Sequence, residues 1–148
     1  MSADIELVLP ARAENIAIVR HAFGAFGEAF EIDAQTIADI RLAVTEAATN
    51  VVVHAYPDGD EGLMEVLASL QEDELTVVVR DEGRGIAPRP DSPGLGLGLP
   101  LIASLAESVQ LGHDEHERTE VRMTFALSGG PNHYETAYGS VADSTLPS

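Results

Sequence analysis

The sequence predicts an α+β fold, a two-layer α/β sandwich in which helices cover one face of a mostly antiparallel mixed sheet. Three features predict it. A short alternating segment is followed by two long stretches with helical periodicity, two strand-like runs, the second strongly β-forming, come next across a short polar connector, and a third helix precedes a last strand pair. The order is therefore β-α-α-β-β-loop-α-β-β, and strands joined by such connectors pair antiparallel, leaving the helices to one side. At 148 residues, with 45% hydrophobic and 22% charged residues, the chain has the size and composition of one folded domain.

Residues 5 to 9 alternate as a strand, which Pro10 would end. From Ala13 or Glu14 onward Ile16, Ile18, Val19, Ala22, Phe23 and Phe26 recur on one helical face. Asp33 is the expected N-cap of a second helix running towards His54, with Ile37, Ile40, Val44, Ala47, Ala48 and Val51 as its core stripe. The turn Tyr56-Pro57-Asp58-Gly59-Asp60 ends it. Residues 62 to 70 and 75 to 80 read as a hairpin across Gln71-Glu72-Asp73-Glu74. Residues 82 to 98 carry Gly83, Gly85, Pro88, Pro90, Pro93, Gly94, Gly96 and Gly98, so they read as a long loop, a feature often tied to lids or binding segments.

A third helix is expected from Leu99 or Pro100, burying Leu101, Ile102, Leu105 and Ala106. Residues 109 to 111 and 119 to 127 form the last strand pair around His113-Asp114-Glu115-His116-Glu117. The histidines there fit a polar hairpin tip better than a metal site. Residues 1 to 128 are the expected folded domain, and residues 129 to 148, small, polar and aperiodic, an expected disordered tail.

Charge narrows the partners. With 25 acidic against 8 basic residues the net charge is −17, which repels nucleic-acid phosphates and anionic lipid. Basic protein surfaces are the better match, and direct nucleic-acid or membrane binding is not expected. A polyanion would be held only by backbone amides, a metal ion and a few local arginines. The absence of cysteine fits a reducing compartment, and no apolar run or leader pattern speaks for export, so the expected location is the cytoplasm.

Three segments carry chemistry. Glu46 and Asn50 lie one helical turn apart beside the apolar stripe, and His54 continues their row. A carboxylate there can take a proton, and an amide oxygen suits Mg²⁺; a solvated helix edge would show the same spacing. Asp81 follows a β-forming run, and Gly83 and Gly85 beyond it let backbone approach a flat ligand, although an ordinary glycine turn is also compatible. Gly94, Gly96 and Gly98 precede the third helix, where exposed amides can receive phosphate oxygens or where the leucines between them simply dock on the core. Neither a P-loop nor a dinucleotide fingerprint is present.

Taken in order, these segments resemble those of GHKL-type ATPases. Residues 46 to 56, Glu-Ala-Ala-Thr-Asn-Val-Val-Val-His-Ala-Tyr, resemble the N box in the form found in bacterial anti-sigma factor serine-protein kinases of the RsbW/SpoIIAB type. Residues 81 to 85 resemble the G1 box, residues 94 to 98 the second glycine box, and Thr119-Glu120-Val121-Arg122-Met123 the closing strand motif, with Arg118 where that motif usually has glycine. The resemblance spans about residues 5 to 127 and implies a Bergerat-type sandwich with ATP beneath a lid. It implies Glu46 as catalytic base, Asn50 as Mg²⁺ ligand and Asp81 as the acceptor for the adenine amine. Gly83 and Gly85 would shape the adenine pocket, Gly94, Gly96 and Gly98 would frame the phosphates, and Thr119 would help hold the base. Arg84 and Arg89, the basic residues of the loop, would meet phosphate or a partner, although solvated charges fit as well.

The function so implied is phosphorylation of an anti-sigma-factor antagonist (STAS-like) and sequestration of a sigma factor by partner switching, with a homodimer as the assembly. A nucleotide-gated regulator without phosphotransfer would need the same pocket.

Overall fold

The computed structural model describes residues 3–56, 61–83 and 95–127. Along the chain come β1 (Ile5–Pro10), α1 (Ala13–Ala29), α2 (Ala34–Asn50), a π-helical turn (Val51–Ala55), β2 (Leu63–Gln71), β3 (Glu74–Asp81), α3 (Leu95–Leu105), β4 (Ser108–His113) and β5 (Thr119–Ala126). The strands form one sheet in the order β1-β2-β3-β5-β4, and all four pairings are antiparallel. The return of β5 beside β3 leaves β4 at an edge and places β3 in the middle.

Alternation along the strands sorts the two faces. Met64, Val66 and Ala68 of β2, Leu75, Val77 and Val79 of β3, and Val121, Met123 and Phe125 of β5 are buried on the face that meets the helices. From α1 come Val19, Phe23 and Phe26; from α2 Ile40, Ala43, Val44, Ala47 and Ala48; from α3 Ile102. A fully buried side chain such as Phe23 contributes about 1.5–3 kcal/mol through the apolar area it removes from water. Asp33 caps α2 as its position predicts, its carboxylate accepting from the Thr36 amide at 3.1 Å. At Gly27 a Cβ would stand 2.5 Å from Ile37, so the bare backbone lets α1 and α2 approach closely.

The structure departs from the periodicity in three places. Ile18 is 47% exposed, because the stripe of α1 that meets the sheet is narrower than its apolar content. α2 does not continue regularly to His54 but widens into the π-helical turn after Asn50. α3 starts at Leu95 rather than at Leu99 or Pro100, which puts Gly96, Gly98 and Pro100 inside it. All three are poor helix formers, and Pro100 has no N–H to give the Gly96 carbonyl, so packing against α2 outweighs local propensity.

Candidate active site

Among the described residues the polar ones that the helical layer buries are few, and they gather at one end of the sheet. Asn50, at the end of α2, is 6% exposed; Asp81, the last residue of β3, is 3% exposed; and Thr119, the first residue of β5, is 7% exposed. The strand register sets Asp81 directly opposite Thr119, and both point to the helix side in the alternation of their strands.

Contacts link these residues into one constellation. The Gly83 amide donates to Asp81 Oδ1 at 3.0 Å, folding the chain back at the strand end. A Cβ on Gly83 would collide with the carbonyl oxygen of Ala55, so only glycine allows the turn to lie against the π-helical segment. On the other side of that segment, a Cβ on Gly98 would stand 2.8 Å from Asn50 Nδ2 and 3.2 Å from its Oδ1. The first turn of α3 therefore rests on the Asn50 amide. Glu46 lies one turn earlier on α2, half-buried.

Two groups here are incomplete. Asn50 Nδ2 is buried and has no hydrogen-bond partner among the described residues, which leaves one end of the amide available to an external group. Burial raises the Asp81 carboxyl above its ordinary value, against the lowering effect of the Gly83 amide and of His113. Asp81 has no ion pair among the described residues, so its acceptor capacity is met only by that amide. A buried amide with its Nδ2 unpaired at the end of α2 and a buried carboxylate at the end of β3, beside the first turn of α3, fit a nucleotide. The carboxylate suits a neutral amine on a flat base, the amide oxygen suits a hard cation, and the first-turn amides of α3 suit phosphate.

A sequence model of the histidine kinase-like ATPase domain matches residues 9–125. The chain belongs to this family. A serine-protein kinase RsbW of a Bacillus cereus strain is 35% identical over 126 residues, covering 75% of this chain and 78% of the relative. The RsbW serine-protein kinase of Bacillus thuringiensis subsp. konkukian matches to the same extent, 35% over 126 residues with the same 75% and 78% coverage. Among solved structures, the RsbU and RsbW domains of Rv1364c from Mycobacterium tuberculosis superpose with a TM-score of 0.66 at 23% identity, over 83% of this chain and 31% of that one. The histidine kinase domain of the blue-light activated kinase EL346 from Erythrobacter litoralis gives a TM-score of 0.51 at 30% identity, over 63% of this chain and 45% of that one. These likenesses agree with the α+β sandwich observed.

Within this family fold, Asn50, Asp81, Gly83, Gly98 and Thr119 come together at one end of the sheet, with Glu46 one turn away. Gly96 lies in the first turn of α3. Arg84, Gly85, Arg89 and Gly94, and the expected tail, lie outside the described residues. Arg118, the departure from the closing motif, donates from Nε to Asp114 Oδ2 at 2.7 Å, in a local pairing that leaves the Asp81–Thr119 register intact. His113 and His116 lie beside that turn, and among the described residues no group of three or more His, Cys, Asp or Glu forms a metal site. Among the described residues no helix is long and apolar enough to cross a membrane. Sequence periodicity did not reveal the role of Tyr56, whose hydroxyl reaches the Asp81 turn; the only local signal was an aromatic residue at the helix end.

Proposed function

We propose that this chain is a Mg-ATP-dependent serine/threonine-protein kinase acting in the cytoplasm, which phosphorylates an anti-sigma-factor antagonist and sequesters a sigma factor. The observation that carries the reading is the pair of incomplete buried groups, Asp81 and Asn50, with Glu46 one turn from Asn50. The names of the RsbW relatives supply the reaction class. Residues 1 to 128 are the ATP-binding unit in this reading.

Asp81 accepts from the adenine amine while Gly83 keeps the turn flat against the base and Thr119 closes its edge. Gly96 and Gly98, in the first turn of α3, leave backbone amides open to the phosphates, and Gly85 and Gly94 are assigned to the same pocket by the family resemblance. Asn50 would hold the metal through its Oδ1, and the metal would neutralise charge on the phosphate oxygens. Arg84 and Arg89 add positive charge for the terminal phosphate or for an acidic partner surface. Glu46 takes the proton from the acceptor hydroxyl as its oxygen forms a bond to the γ-phosphorus, the bond to the bridging oxygen breaks, and ADP leaves.

The test is transfer of labelled γ-phosphate from Mg-ATP to a cognate antagonist. Glu46→Gln is expected to lower the rate by about 10²- to 10⁴-fold while leaving ATP affinity within a factor of about two. ATP binding without any transfer by the wild-type protein would reject the kinase reading in favour of a nucleotide-gated regulator.

A further inference from the structure

Tyr56 follows the π-helical turn and leads into the connection to β2, and it bonds to both of the segments it stands between. Its hydroxyl donates to the Leu63 carbonyl at 2.6 Å and accepts from the Glu82 amide at 2.9 Å. Its ring lies against Gly62 so closely that a Cβ there would overlap the ring atoms. The hydroxyl thus bridges the first residue of β2 and the residue after Asp81. Burial keeps the phenol protonated, raising it above its ordinary value with help from the neighbouring carboxylates, although the Glu82 amide pulls it down. The donor role towards Leu63 is therefore maintained at every physiological pH.

The three residues of the turn are each held from a different direction. Asp81 is fixed by the ladder to β2 and β5, Glu82 by the Tyr56 hydroxyl, and Gly83 by the Ala55 carbonyl it presses against and by Asp81 Oδ1. Without the bond to Glu82, the middle of the turn would lack a side-chain anchor, and the Gly83 amide that orients Oδ1 would swing with it. With Oδ1 engaged in this way, Oδ2 is the oxygen left to accept from a ligand.

We propose that Tyr56 is a positioning residue for base recognition: its hydroxyl, by holding the Glu82 amide, sets the orientation in which the Asp81 carboxylate reads the amine of the purine. The inference rests on the nucleotide reading of the site and adds to it the side chain that determines how sharply an amino-purine is told from one without the amine. Tyr56 touches neither the base nor the reacting atoms; it acts through the turn.

The experiment compares dissociation constants for ATP and for purine riboside triphosphate, which lacks the 6-amino group, in wild type, Tyr56→Phe, Asp81→Asn and the double variant. Wild type should prefer ATP, and Tyr56→Phe should narrow that preference by about fivefold, the size of one net hydrogen bond. The double variant should narrow it no further than Asp81→Asn alone, because both changes act on one recognition element. A purely structural hydroxyl would weaken both ligands equally and leave the ratio unchanged, which would overturn the proposal. Hydrogen exchange on the wild-type protein provides a check independent of any variant, since the Glu82 amide should be protected and rapid exchange there would also overturn it. Failure of the wild type to bind ATP at all would overturn the nucleotide reading itself, whereas binding with an unchanged ratio in Tyr56→Phe removes only the role of Tyr56.

Discussion

Arg80 and Asp81 are consecutive residues of β3 that face opposite sides of the sheet, and their surroundings differ in what they leave unfinished. Arg80 lies in a cross-strand row with Glu65 of β2 and Glu120 of β5, and it donates to both, at 2.8 and 2.9 Å. The bond to Glu120 and then that to Glu65 hold its guanidinium above its ordinary value against the cost of burial. Arg118 extends the network, pairing with Asp114 at 2.7 Å and approaching Glu65 at 3.6 Å. Burial would raise the Asp114 carboxyl, but the amide and guanidinium of Arg118 and the His116 amide hold it below its ordinary value. On this outer face the protein completes its own electrostatics. The next row, Met64, Asp81 and Thr119, lies against the helices and has a carboxylate with no cation bonded to it among the described residues. Folding pairs the charges of the outer row, whereas on the inner row Asp81 accepts only from the Gly83 amide among the described residues, the kind of unbalanced group that clusters at functional sites.

The largest effect is expected where the inner row is set by backbone contact alone. In Gly83→Ala the new Cβ meets the Ala55 carbonyl, which is part of the π-helical backbone and has no rotamer by which to yield. The substitution should cost about 1–3 kcal/mol of stability and weaken ATP binding by more than about tenfold, as unfolding curves and calorimetry would show. A fully stable variant with normal ATP affinity would mean that the turn does not sit where the constellation requires.

Asp81→Asn should separate stability from binding. Because burial raises the folded-state value of Asp81, the folded protein holds that proton more tightly than the unfolded chain, and its contribution is present at low pH and lost as pH rises through the raised value. At neutral pH the ionised side chain is therefore a cost. The variant should melt at a higher temperature than wild type at pH 7, with the gain shrinking as pH falls, and should bind ATP about 10- to 100-fold more weakly, the range for a hydrogen bond to a charged group. An equal loss of stability and affinity would contradict the contrast between the rows.

The smallest effect belongs to the outer row. Arg80→Met keeps the aliphatic length but removes the cation from a partly exposed network, and should cost about 1 kcal/mol, less at high salt, without altering ATP affinity. A change in nucleotide binding would show that the two rows are coupled through β3.

Much of this organisation was legible in residue order. Asp33 reads as a cap because its carboxylate serves an amide three residues on, and the stripes of α1 and α2 read as helices because burial recurs at the helical period. Asp81 reads as a strand-end carboxylate because the β-forming run stops there. The helix start at Leu95 was hidden by Gly96, Gly98 and Pro100, whose propensities oppose it, and the π-helical turn by the regular spacing of Glu46, Asn50 and His54.

The sequence by itself determined the order of elements, the buried stripes of the first two helices, and the identity of the polar residues near the end of the sheet, because these depend on neighbours a few positions apart. Only the tertiary structure decided that Gly98 rests on Asn50, that Gly83 rests on Ala55, that Tyr56 holds Glu82, and that Arg80 bonds two carboxylates while Asp81, among the described residues, bonds no cation. Those outcomes depend on which groups the packed layers bring within hydrogen-bond reach, and no local pattern encodes a contact between residues that meet only once the sheet and helices have closed on each other.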